Sequence, residues 1–178
     1  MATLKELRDE RLRKLEELKQ LGVNPYPAQA TRSHGLGEIV TDFNQLEGKD
    51  VHVVGRVKSI RKFGKIAFVV LRDQGGDLQL FWKETDAEPN YAEGELGLKD
   101  ISLLDSGDFV EVSGPVIKTK TGEISVEVQR LKLLTKSLRP LPTDQEGFTN
   151  KEERLRRRYV DMSVNKDVRE RFYRRSAF

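Results

Sequence analysis

The chain has 178 residues, 37% hydrophobic and 34% charged, which is enough apolar content for one good core with appendages and lies outside the disordered range. It has no Cys, which excludes disulfides and thiolate chemistry, and its only imidazoles, His34 and His52, lie far apart without ligand spacing, so a metal centre or His-based catalysis is not expected. The net charge of +3 is unevenly placed: residues 151–178 carry ten Lys or Arg against five Asp or Glu, whereas the first 150 carry 22 against 24. A binding face in the main body must therefore work with local charges such as Arg56, Lys58, Arg61, Lys62 and Lys65. With no signal peptide or long apolar run, a cytoplasmic protein without a membrane partner is expected.

Thr3 and Glu6 make a capping box ahead of a helix predicted from Leu4 to Gln20, on which Leu4, Leu7, Leu12, Leu15 and Leu18 fall on one stripe. Gly22 and Asn24-Pro25-Tyr26-Pro27 end it near Leu21. Its other face alternates Lys, Glu and Arg, read first as a solvated surface with i to i+4 pairs and second as a contact for RNA backbone. Ala28 to Asp50 is polar and irregular, with a short helix expected at Leu36 to Phe43. Three strands follow, Val51 to Lys62, Ile66 to Asp73 and Asp77 to Lys83, joined by Phe63-Gly64-Lys65 and Gln74-Gly75-Gly76. A helix is expected near Ala92 to Leu104, and Phe109 to Lys118 with Glu123 to Leu134 makes a second hairpin. This order gives a fold that is mainly β with α: a five-stranded OB-fold barrel preceded by an amphipathic helix. Thr135 to Pro142 is a Pro-stiffened connector, a basic run spans Lys151 to Arg158, and a helix starting near Asp167 stops at Phe178 with nothing to pack on, as expected of a piece whose second domain lies elsewhere. The expected division is 1–48 for the helix and connecting segment, 49–135 for the barrel, 136–165 for the linker and 166–178 for the start of a further domain.

Side chains alternate across a strand, so with Ala67, Val69 and Leu71 inward, Phe68 is left on the outer face, and on the next strand Gln79 joins it with Phe81. Arg61 falls in the odd set with Val51, Val53, Gly55 and Val57, at the end where that set turns polar at Ser59. A ring, an amide and a guanidinium on one sheet face suit an unpaired base: stacking, edge hydrogen bonds, and phosphate or base contact. The same pattern also fits a face covered by a neighbouring loop. The barrel order puts ligands on the second and third strands, which is this face. No phosphate-binding glycine loop, dinucleotide fingerprint, nucleophile elbow or catalytic carboxylate pair is present.

These residues resemble the N-terminal anticodon-binding region of class II lysyl-tRNA synthetases. The landmarks are LGVNPYP at Leu21 to Pro27, GRVKSIRKFGKIAFVVLRD at Gly55 to Asp73, LQLF at Leu78 to Phe81, TKTGEISV at Thr119 to Val126, LLTKSLRPLP at Leu133 to Pro142 and RRRYVDM at Arg156 to Met162. The resemblance implies a barrel that splays out the anticodon bases of tRNA(Lys), with Phe68 as the stacking aromatic, Gln79 reading the central uridine, Arg61 as its partner and Glu123 reading a neighbouring base. It implies no cofactor in this chain, with ATP and Mg used by the full-length parent, and a homodimer whose interface helix opens near Asn165. Aspartyl and asparaginyl relatives share the Arg, Phe and Gln trio; Arg56, TKTGEISV and LLTKSLRPLP favour lysine, and a stand-alone single-strand-binding module is a further alternative. The chain departs from the family at Asp144 to Phe148, where a Lys-Trp-His-Gly-Leu stretch is usual.

Overall fold

The alternation of the three predicted strands becomes the wall of a closed barrel in the computed structural model, which describes residues 3–85, 87–142 and 148–178. Strand β1 (Asp50–Phe63) pairs antiparallel with β2 (Ile66–Arg72), which pairs antiparallel with β3 (Asp77–Lys83). The other side of β1 pairs antiparallel with β4 (Phe109–Lys118), and β5 (Ile124–Glu127) joins β3 in parallel to β4 in antiparallel, so the ring closes. Val51, Val53, Ala67, Val69, Leu71, Leu80, Val112 and Val126 fill it, all fully buried. At about 1.5–3 kcal/mol for each large aliphatic side chain removed from water, this interior is the main stabilising term.

The expected strand Glu123 to Leu134 is broken in two, β5 and β6 (Arg130–Thr135). At the corner Val128 N–H donates to the Phe81 carbonyl of β3 (2.8 Å) and Gln129 N–H to the Ser113 carbonyl of β4 (3.0 Å), after which β6 runs along the first half of β4. Gly114 makes the corner possible, since a β-carbon there would stand 1.9 Å from the Glu127 carbonyl oxygen. The helix expected near Ala92 to Leu104 is instead two short 3₁₀ turns, Tyr91–Glu93 and Leu98–Leu103. Gly94, with φ of 82°, ends the first in the left-handed conformation, and extended Gly97 caps the second, so no continuous α-helix crosses them.

Helix α1 (Leu4–Gln20) has the expected capping box: Thr3 Oγ1 accepts from Glu6 N–H (3.2 Å), and Glu6 Oε2 from Thr3 N–H (2.7 Å). Past its end, Val23 N–H returns to the Leu18 carbonyl (3.0 Å) around Gly22, whose φ is 85°. The leucine stripe is only partly used. Leu15 and Leu18 are buried, but Leu4 is 72% exposed and Leu7 is also exposed, because the first two turns project beyond the barrel. The short helix expected at Leu36 to Phe43 is split at Asp42 into α2 (Leu36–Thr41) and α3 (Phe43–Leu46), and Leu36 and Ile39 join the core.

The chain divides into two units, Met1–Arg139 and Pro140–Phe178. In the second, α4 (Lys151–Arg156) is capped by Asn150 Oδ1 accepting from Glu152 and Glu153 N–H, and α5 (Arg158–Val164) precedes α6 (Lys166–Ser176). Asp161 ties the three, accepting from Arg154 Nε on α4 (3.1 Å) and from Asn165 Nδ2 before α6 (2.6 Å), while Val160 and Val168 are buried. Of the linker departure, residues 144–147 lie outside the described residues.

Candidate nucleic-acid interface

Strict alternation from Val51 would send Arg61 into the barrel. The register between β1 and β2 slips by one residue: Val57 stands opposite Leu71, but Ser59 stands opposite Val70. The extra residue, Lys58, is a β-bulge, which reverses the sense of alternation beyond it. Ile60 then takes the core side opposite Val69, while Ser59, Arg61 and Phe63 take the outer side with Phe68. The bulge is closed by the turn before β4: Val57 N–H donates to the Asp108 carbonyl (2.8 Å), Gly107 N–H to the Val57 carbonyl (2.8 Å) and Ser106 Oγ to the Lys58 carbonyl (3.0 Å).

A row then crosses the outer face from Arg61 to Phe68 to Phe81 to Glu127, each the Cα partner of the next. Arg61 is exposed and has no hydrogen bond or ion pair among the described residues. The Phe68 ring lies 5.4 Å from that of Phe81 and 6.3 Å, edge-on, from that of Phe63, which is 59% exposed. Lys83 Nζ stands 5.4 Å from the centre of the Phe81 ring and 2.5 Å from Glu127, so the row ends in a neutralised pair. Among the described residues the face is thus an aromatic strip with Arg61 uncommitted beside it, suited to stacking unpaired bases near a phosphate.

One step along the strands lies the second row, Val70, Gln79 and Ser125. Gln79, half-buried, donates from Nε2 to Ser125 Oγ at 3.0 Å. Two residues before Ser125, Glu123 projects into solvent from a turn whose Thr119 binds the Glu123 backbone at both ends, Thr119 Oγ1 accepting from Glu123 N–H (3.1 Å) and Thr119 N–H donating to the Glu123 carbonyl (2.9 Å). Arg61, Phe68 and Gln79 are therefore on adjoining strands of one face, and Glu123 stands at its margin. Ser125 and Phe63 were not singled out from sequence. Ser125 carries no signal of its own; Phe63, two residues beyond Arg61, becomes visible once the bulge is known.

Behind the bulge is a buried ion cluster. The Lys136 side chain, fully buried at 0% exposure, donates from Nζ to Asp108 Oδ2 (2.8 Å), Asp105 Oδ2 (2.5 Å) and the Leu103 carbonyl (2.7 Å). Asp108 also accepts from Ser137 N–H (2.7 Å) and Asp105 N–H (2.8 Å). Burial pushes the Asp108 carboxyl above its usual range, against the opposing Lys136 charge; at Asp105 burial is outweighed by Lys136 and Lys14, which hold that carboxyl low. Helix α1 reaches the same turn through Lys14 to Asp105 (2.7 Å) and through buried Arg11, which donates to the Ser106 and Ser137 carbonyls (both 2.9 Å). Lys136 and Ser137, which the sequence reading assigns to the connector, are part of this cluster.

Among the described residues no group of three or more His, Cys, Asp or Glu side chains is arranged to hold a metal ion, and no helix is long and apolar enough to cross a membrane. Residues 51–134 match the tRNA anticodon model, an OB-fold nucleic acid binding domain. The whole chain is similar to lysine-tRNA ligases: 41% identical over 94% of its length to that of Clostridium novyi, 40% over 99% to that of Clostridium acetobutylicum and 41% over 97% to that of Carboxydothermus hydrogenoformans. It spans only about a third of the length of these relatives, 32%, 33% and 34% respectively.

Proposed function

We propose that this chain, built around an anticodon-binding OB-fold domain at residues 51–134, is the anticodon-reading part of a lysine-tRNA ligase and binds the anticodon loop of tRNA(Lys). The observation that carries the reading is the 41% identity to lysine-tRNA ligases over 94% of the chain, which favours neither an aspartyl-type relative nor a stand-alone single-strand module. Phe68 stacks the central uridine, Gln79 reads its edge, Arg61 neutralises backbone charge beside it and Glu123 meets a neighbouring base. Titrating the 178-residue chain with a lysine anticodon stem-loop, and with the same loop carrying cytidine at the centre, tests this. Weaker binding of the cytidine loop is expected, and equal affinity would favour the stand-alone module.

In the full-length ligase, we propose, ATP with magnesium activates lysine outside the residues described above, and the working form is a homodimer. The 178-residue chain then binds RNA without catalysing. Lysine-dependent ATP–pyrophosphate exchange and sedimentation, run on both the short chain and the full-length protein, check these points: exchange by the short chain, or a monomeric full-length enzyme, would refute the corresponding one.

A further inference from the structure

We infer that Phe63 is a second stacking platform, for the base that flanks the central uridine on the side away from Glu123; the inference rests on the anticodon-reading assignment. The slip at Lys58 carries Phe63 to the outer side of β1 with Arg61, in the next row of the face, where it stands opposite Ile66. Antiparallel pairing across the two-residue turn Gly64-Lys65 holds it there, at the end of a hairpin whose register is unbroken from Ser59 onward. It is 59% exposed, and the one aromatic ring it meets among the described residues is that of Phe68. Ile60, three residues earlier, packs against the core instead. A phenyl ring turned to water beside Phe68 has apolar area that a base would cover.

The order of the rows assigns the base. Strand β5 runs parallel to β3 and sets Ser125 beside Gln79, so Glu123, two residues earlier, lies towards the start of β3. Phe63 and Ile66 pair level with Lys83, at the opposite end of β3. Phe68 and Gln79 hold the middle, and a base on Phe68 thus has one neighbour towards Glu123 and the other towards Phe63. The two rings also set how these bases sit. Their centres are 6.3 Å apart, nearly twice the ~3.4 Å rise of a stacked base, and their planes are inclined by 67°. Bases lying on the two rings are inclined alike and cannot stack on each other. Each exchanges a base neighbour for a phenyl ring, the mode in which proteins hold splayed single-stranded bases. The face then seats two consecutive bases by stacking, and Phe63 adds affinity without reading a base edge.

The test measures binding of the 178-residue chain to lysine anticodon stem-loops by fluorescence anisotropy, with the loop intact and with each anticodon position made abasic in turn. Phe63→Ala should weaken binding of the intact loop about fivefold or more, the lower range for one stacked base. The penalty should persist on the loop abasic at its centre and largely vanish on one flanking abasic loop, whereas that of Glu123→Ala should vanish on the other flank. Phe63→Trp should bind at least as tightly as wild type, and Phe63→Leu, which keeps apolar bulk without a ring, nearly as weakly as Phe63→Ala. All three Phe63 variants should melt with the wild type, as expected at an exposed position, so that a loss of affinity is not a loss of fold. Equal affinity of Phe63→Ala and wild type for the intact loop overturns the inference alone. So does a penalty that vanishes on the loop abasic at its centre, which would make Phe63 a prop for Phe68, and so do Phe63→Ala and Glu123→Ala penalties tied to the same flank. A wild-type chain that binds the lysine loop no better than a loop of unrelated sequence overturns the anticodon reading with it.

Discussion

Phe68→Ala is expected to weaken binding of the lysine anticodon stem-loop by about 1–3 kcal/mol, roughly fivefold to 150-fold, the range measured for one base stacked on one aromatic ring. The ring is half-buried between Phe63 and Phe81 and covers no part of the barrel interior, which the opposite side chains Ala67 and Val69 supply. The substitution should therefore leave the melting temperature nearly unchanged. A loop with an abasic central position separates stacking from general electrostatics: the penalty of Phe68→Ala should largely vanish on that loop. Equal affinity of wild type and variant for the intact loop would remove Phe68 from the site.

Lys136→Met should cost about 3–5 kcal/mol of stability, the usual result of removing one partner from a buried ion pair. The methionine fills the volume, but the Asp108 side chain, at 0% exposure, keeps its charge with only the Ser137 and Asp105 N–H donors to offset it. Urea unfolding at neutral pH measures the loss, and a change below about 1 kcal/mol would contradict this account of the cluster. The pH dependence has a definite sign. Burial already raises the Asp108 carboxyl, and removal of the ammonium raises it further. A carboxyl whose folded value lies above its unfolded one weighs against the fold when ionised and ceases to do so when protonated. The deficit of Lys136→Met relative to wild type should therefore shrink as pH falls towards about 4, near the unfolded value for Asp.

The barrel was legible because two-residue periodicity leaves a clear trace: Ala67, Val69 and Leu71, then Leu78, Leu80 and Trp82, are buried as their alternation requires. The same rule found Phe68 and Gln79 on the outer face. It fails at Arg61, because the slip at Lys58 depends on hydrogen bonds from the 106–108 turn, some fifty residues away in the chain, and Val57-Lys58-Ser59 contains no glycine to mark it. Lys136 was hidden for a related reason. A lysine beside a Pro-rich run reads as solvated, and only the convergence of Asp105 and Asp108 on it makes burial tolerable. The helix expected near Ala92 to Leu104 in a long charged stretch is absent because Gly94 turns left-handed and Gly97 is extended, which leaves two 3₁₀ turns.

The slip at Lys58 makes β1 behave like a reading frame with one inserted letter. Upstream, odd positions belong to the core; downstream, even ones do, so Val57 and Ile60 both face the interior while Arg61 and Phe63 stand outside. Pairing is therefore as much a determinant of this strand as identity. Deleting Lys58 would restore plain alternation to the pattern and leave Arg61 opposite Phe68 and Ile60 opposite Val69, whereas keeping every residue and losing the slip would put Ile60 opposite Phe68 and turn Arg61 to the core side. A variant that keeps every residue of the strand but loses the 106–108 turn that closes the slip would retain the barrel's signature while taking Arg61 from the face it shares with Phe68.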